Sequence, residues 1–109
     1  MFRSLLFVPA TRPERFEKAL AAGADCMCID LEDAVAADDR PAAREILKNF
    51  LAGRASSRCK IGIRINAVTC TDGIRDIAAM LDWQAPDFIL IAKVEHRRDV
   101  QLVHQSLPD

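Results

Sequence analysis

The sequence has no surplus of either charge: 15 Lys and Arg stand against 16 Asp and Glu, for a formal net charge of −1. No chain-wide field draws it to nucleic acid or anionic lipid, and neither partner is expected. Long apolar runs are missing too, and nothing approaches the roughly 20 residues a membrane-spanning helix needs. The opening apolar run breaks at Pro9, and Arg12, Glu14, Arg15, Glu17 and Lys18 follow at once. That segment lacks the apolar length and small-residue cleavage site of a secretory signal, so a cytoplasmic location is expected. With 4 Cys and 2 His there is no C-x-x-C pair and no paired His ligands, which speaks against zinc. Cys26, Cys28, Cys59 and Cys70 are expected as buried thiols in a reducing compartment. No low-complexity tract or linker divides the chain, so its 109 residues make one domain at most.

What is present is an alternation of short β-rich runs with amphipathic helices, on a composition that is 50% hydrophobic. Residues 3–8 predict a first strand. Thr11-Arg12-Pro13-Glu14 then has the form of a capping box, and Phe16, Ala19 and Leu20 line one face of a helix that Gly23 ends. Residues 26–31 predict the second strand. Asp38 or Asp39 is expected to cap the next helix, with Pro41 in its first turn, a buried stripe of Ile46, Leu47, Phe50 and Leu51, and Gly53 at its end. The third strand, residues 60–66, alternates: Ile61, Ile63 and Ile65 on one face, Gly62, Arg64 and Asn66 on the other. Ile74, Ile77, Ala78 and Leu81 have helical spacing and predict the buried face of a third helix. Residues 88–94 predict the fourth strand, and Val100, Val103 and Leu107 belong to a final helix. Such an alternation implies an α/β fold with parallel strands.

The polar residues gather at the carboxyl ends of these strands. Asp30, Glu32 and Asp33 end the second, Arg64 and Asn66 the third, Lys93 and Glu95 the fourth. In a β/α barrel that rim is where active sites are built. Arg64 has the geometry to grip a carboxylate with two parallel hydrogen bonds, and Glu32 and Asp33 suit a hard cation, held directly or through its waters. The alternative is that Arg64 neutralises Asp30 or Glu32 inside the sheet. Lys93 is placed either for an ion pair with a rim carboxylate or for a Schiff base with a carbonyl substrate. His96 and His104 read as solvated surface residues. A receiver-type domain is disfavoured, because its acidic pair should follow the first strand and its lysine the fifth.

Five segments carry a family resemblance: Arg3-Ser4-Leu5-Leu6-Phe7-Val8-Pro9, Arg12-Pro13-Glu14-Arg15, Asp30-Leu31-Glu32-Asp33-Ala34-Val35, Arg64-Ile65-Asn66 and Lys93-Val94-Glu95. In this order and spacing the sequence resembles the HpcH/HpaI aldolase and citrate lyase beta-subunit family. The resemblance implies an incomplete β/α (TIM) barrel of about four β-α units, with residues 1–109 as the N-terminal part of a single lyase domain. It implies a carbon–carbon lyase that uses magnesium to cleave or form a bond between a 2-oxo acid, such as oxaloacetate, and an acyl-CoA or acyl-carrier thioester. Arg64, with Glu32 and Asp33, would be catalytic. Arg64, Asn66 and Lys93 would bind the oxo acid, and Glu32 and Asp33 would hold magnesium through water, its direct ligands lying beyond residue 109. Phe7, Arg12 and Lys18 match positions that contact coenzyme A in malyl-CoA-type relatives. Without the resemblance, Phe7 reads as barrel core, and Arg12 and Lys18 as a solvated helix start. The sequence departs from the family at Pro9-Ala10, where Pro-Gly is usual.

A barrel of this kind usually has about 250 residues and eight strands. Leu5, Phe7, Ile89 and Ile91 are expected on its barrel-facing side, and open sheet edges invite association. The chain is therefore expected to self-associate or fold poorly alone. A catalytically incomplete fragment or interaction module that keeps half of the barrel is the competing expectation.

Overall fold

In the computed structural model, residues 4–54 and 58–92 are described. Four strands, β1 (Leu5–Pro9), β2 (Cys26–Asp30), β3 (Lys60–Ile65) and β4 (Phe88–Ile91), form one sheet in the order β1-β2-β3-β4. Each neighbouring pair is parallel. Helices α1 (Glu14–Ala21), α2 (Arg40–Gly53) and α3 (Thr71–Met80) connect them, with a 3-10 turn at Ala37–Asp39 ahead of α2. Every strand with a described successor is followed by a helix, as the hydrophobic pattern requires of parallel neighbours. Lys93, Glu95, His96 and the final helix expected around Val100, Val103 and Leu107 lie outside the described residues.

The register divides the sheet into two chemically distinct faces. Val8, Met27, Ile29, Ile61, Ile63 and Ile65 point to the helices and meet Phe16, Leu47, Leu51 and Met80 in one core. Phe16 and Phe50 lock α1 to α2 edge to face, with ring centroids 4.8 Å apart. On the opposite face Phe7, Cys28, Gly62 and Phe88 form one row, and Pro9, Asp30, Arg64 and Leu90 the next row toward the carboxyl ends. Leu5 and Phe7 lie on this open face as expected, 43% and 51% exposed. Ile89 and Ile91 do not. They pair with Ile63 and Ile65 and pack into the helix-side core, so Phe88 and Leu90 take the barrel-facing positions. The ring of Phe88 fills the space over Gly62 that any side chain there would need.

Local signals were partly overridden. The capping box at Thr11 does not form: Pro13 occupies the cap position without a side-chain bond, and Thr11 lies in the turn closed by the Arg12 N–H donating to Pro9 O. Asp39 holds the cap position of α2, again without a side-chain bond. Gly23 ends α1 with φ +80°, where an L side chain would be strained. In α3 the expected apolar stripe is only partly turned inward: Ile77 packs against the core, while Ile74 is 62% and Leu81 54% exposed. Gly73, Asp76 and Met80 are the buried positions. Two constraints turn the helix this way: residue 73 lies so close to the Ala67 carbonyl that a Cβ does not fit, and Asp76 is anchored by its ion pair with Arg44 and by hydrogen bonds from Asn66. Cys26, Cys28 and Cys59 are buried, whereas Cys70 is exposed, contrary to expectation.

Asp76 is fully buried, with Arg44 Nε 2.7 Å from Oδ1 and the Asn66 backbone and side-chain nitrogens each 2.8 Å from Oδ2. Removing one member of such a group strands the others without water. Asp76→Ala is expected to destabilise the fold by about 3–5 kcal/mol, measured by urea denaturation. A loss below about 1 kcal/mol would mean that the network is solvent-compensated.

Candidate active site at the carboxyl ends of the strands

β2 and β3 pair so that Asp30 stands directly beside Arg64. Asp30 is almost fully buried and its carboxylate accepts four hydrogen bonds. The backbone N–H groups of Glu32 (2.8 Å) and Ala34 (3.0 Å) come from the turn that leaves β2. Arg64 gives the other two, Nε to Oδ1 at 2.9 Å and Nη2 to Oδ2 at 2.6 Å, a two-pronged pair. Burial pushes the Asp30 carboxyl up, but the hydrogen bonds from Arg64, Glu32 and Ala34 outweigh it and hold the group below its usual range. The Arg64 guanidinium is raised, first by its hydrogen bond to Asp30, against its own partial burial, with the charges of Asp30, Glu32 and Asp33 adding to the effect. Both groups are therefore charged near neutral pH.

Glu32 Oε1 lies 3.9 Å from Arg64 Nε, and Glu32 is buried. Asp33 is exposed, and its charge still reaches Arg64. On the other side, the guanidinium carbon of Arg64 sits 5.1 Å from the centroid of the Phe7 ring, a cation–π distance. With Nε and one edge of Nη2 given to Asp30, Nη1 has no hydrogen-bond partner among the described residues. The fork that remains belongs to a side chain that is 29% exposed. Cys28 lies one row deeper; burial, then the charge of Asp30, pushes its thiol to about 12 despite Arg64, so it stays protonated and is no nucleophile.

Behind the rim lies a polar layer that the sequence reading missed. Asn66 donates from its side-chain nitrogen to Leu31 O at 2.9 Å and to Asp76 at 2.8 Å. It therefore turns into the helix layer instead of sharing the face of Arg64, because β3 ends at Ile65 and strand alternation stops there. Arg44 bridges Asp76 and Asp72, and Arg40 pairs with Asp72 at 2.8 Å and donates to Glu32 O at 3.4 Å. Hydrogen bonds from Arg40 and Arg44 lower Asp72. The signal for this layer was present: Arg40 and Arg44, and Asp72 and Asp76, are each spaced one helical turn apart on facing helices.

The structure thus brings Arg64, Glu32, Asp30 and Phe7 together, with Asp33 at the same end of the sheet. Arg12 is exposed in the turn after β1, and Lys18 is exposed on α1. Lys93 lies outside the described residues. Among the described residues no cluster of three or more His, Cys, Asp or Glu is placed to hold a metal ion, and no helix is long and apolar enough to cross a membrane.

A parallel α/β sheet with one face under helices, and a charged site at its strand carboxyl ends, defines a protein of the β/α-barrel class. Within that class the sequence profile of HpcH/HpaI aldolase/citrate lyase matches residues 3–109, and the chain belongs to that family. It is 39% identical to a (3S)-malyl-CoA thioesterase of Cereibacter sphaeroides over 99% of this chain and 38% of the relative. It is 37% identical to an L-malyl-CoA/beta-methylmalyl-CoA lyase from the same species over 93% of this chain and 32% of that enzyme. The crystal structure of CitE from Mycobacterium tuberculosis with magnesium, acetoacetate and coenzyme A superposes with a TM-score of 0.77 at 39% identity. That match covers 91% of this chain and 35% of the other. The chain spans about a third of the length of the relatives it matches, so it corresponds to part of their barrel.

The Asp30–Arg64 pair makes a pH-dependent contribution to stability. Because the folded carboxyl lies below its unfolded value of about 3.9, that contribution is full above this value and is lost as pH falls through the folded one. Asp30→Asn is therefore expected to destabilise most near pH 7, with the difference from the unsubstituted chain shrinking below about pH 4. Urea melts at several pH values measure it; a difference independent of pH would remove the assigned ion pair.

Proposed function

We propose that this chain is the N-terminal part of a single β/α-barrel domain of a carbon–carbon lyase. The reaction would be magnesium-dependent cleavage or formation of a bond between a 2-oxo acid and an acyl thioester. The observation that supports this reading best is the engagement of Arg64: Asp30 takes the Nε–Nη2 edge of its guanidinium, Glu32 lies 3.9 Å from the same Nε, and Nη1 is left without a hydrogen bond among the described residues. A fixed fork with a free pair of N–H groups matches a carboxylate and loses little entropy on binding one.

In this reading Arg64 binds the carboxylate of the oxo acid and, being held protonated by Asp30, offsets negative charge throughout the reaction. Lys93 joins it in binding the oxo acid. Glu32 and Asp33 are hard oxygen donors beside the fork, and the donor set fits magnesium held through water rather than a closed cage. When bound, the cation polarises the oxo-acid oxygen on which charge develops. Arg40 and Asn66, by holding Glu32 O and Leu31 O, fix the backbone that carries these carboxylates. Phe7, Arg12 and Lys18 are proposed to contact the coenzyme A or carrier part of the thioester, whose phosphates suit the two cations.

A second reading is hydrolysis of the thioester, favoured by the identity to a malyl-CoA thioesterase across 99% of this chain. Malyl-CoA separates the two by chemistry. Breaking its carbon–carbon bond gives an oxo acid and acetyl-CoA, whereas hydrolysis gives malate and free thiol.

Titration with oxaloacetate is expected to show binding that depends on magnesium and weakens about ten- to hundredfold in Arg64→Ala, the worth of a charge-assisted pair. Equal affinity in both proteins would overturn the role of Arg64. The exposed Leu5 and Phe7 also lead us to expect self-association, visible as concentration-dependent sedimentation; a monomer at every concentration would refute it.

A further inference from the structure

Phe7 is a large ring left 51% exposed on a sheet whose other face is closely packed. Its surroundings give that position a purpose. Phe7 is level with Cys28 and Gly62, and Arg64 starts one row nearer the rim, two strands away. Phe88 blocks the space over Gly62, so Arg64 has no room to fold back along its own strand. Cys28 is small and leaves the way across β2 open. The side chain therefore crosses β2, engages Asp30 with two hydrogen bonds and brings its guanidinium carbon to 5.1 Å from the Phe7 ring centroid. Asp30 holds the guanidinium by one edge, and the Phe7 ring gives it a second, independent contact at cation–π distance.

We propose that Phe7 is a positioning residue of the oxo-acid site: it supports Arg64 so that the open Nη1–Nη2 edge faces the substrate carboxylate. The proposal rests on the reading of Arg64 as the carboxylate grip and adds to Phe7 a task that does not involve the thioester. A contact to the thioester alone would leave oxo-acid affinity indifferent to Phe7 when no thioester is present. Support of Arg64 makes that affinity depend on the ring.

The test titrates the whole chain with oxaloacetate and magnesium, without any thioester, in four forms: unsubstituted, Phe7→Leu, Phe7→Tyr and Arg64→Ala. Phe7→Leu keeps an apolar side chain but no π face, and its affinity is expected to fall about two- to fivefold, the worth of a cation–π contact near the surface. Phe7→Tyr keeps the ring and is expected to bind like the unsubstituted protein, a rescue that a loss of packing alone would not give. A readout without ligand accompanies it: the Arg64 Nε–H signal in NMR is expected to shift and exchange faster with water in Phe7→Leu, and to be unchanged in Phe7→Tyr. Full affinity in Phe7→Leu, with binding lost in Arg64→Ala, overturns the proposal and leaves the carboxylate grip standing. Failure of Phe7→Tyr to restore binding also overturns it. Binding unaffected by Arg64→Ala, or absent from the unsubstituted protein, removes the grip itself and this inference with it.

Discussion

The pairing of Asp30 with Arg64 across β2 and β3 is the constraint on which the site depends. A buried carboxylate is costly unless its lone pairs are met, and here four donors meet them, two from the guanidinium and two from the turn after β2. The same four bonds do two further things. They draw the Glu32–Ala34 turn onto the strand end, and they commit one edge of the guanidinium, leaving Nη1 without a hydrogen bond among the described residues. A shift of the β2–β3 register by one residue would send one partner to the helix side, so the parallel ladder itself guards the site.

Behind that pair a second polar layer stiffens the rim from the helix side. Asp76 and Asp72 on α3 face Arg44 and Arg40 on α2, and the group reaches the strand ends through Asn66 and the Glu32 carbonyl. Most of the cost of burying these charges is met by their mutual pairing, which also fixes the rotation of α3, although Arg40 Nε is buried without a hydrogen-bond partner among the described residues. That rotation explains an otherwise odd surface, with Ile74 and Leu81 turned to solvent while an aspartate is fully buried. Such a layer under a set of candidate catalytic groups holds backbone and side chains in place without contacting substrate.

Much of the site was legible because strand ends are easy to find and alternation is strict within a strand. Asp30, Glu32 and Arg64 could be placed at one rim from the pattern around Met27, Ile29, Ile61 and Ile63 alone. The same rule misled where the strand stopped: Asn66 obeys the parity of Arg64 in sequence yet points into the helix layer, since the ladder ends at Ile65. It misled in β4 as well. Four consecutive apolar residues carry no parity signal, so the barrel-facing role was given to Ile89 and Ile91 where Phe88 and Leu90 hold it. Of the two expectations for Arg64, the structure shows the pair with Asp30; because a guanidinium has two edges, that pair does not by itself exclude a second carboxylate.

By itself the sequence determined the α/β class, the order of its elements, the helix-facing core of β2 and β3 and the family, since these follow from periodicity and from ordered short motifs. Only the tertiary structure decided which edge of Arg64 is engaged, that Phe7 lies beneath it, and that Asp76 rather than Ile74 faces inward. The reason is one of range. Periodicity reports which side of its own element a residue occupies, whereas an ion pair 34 positions apart or a ring two strands away exists only once register and helix rotation are set together.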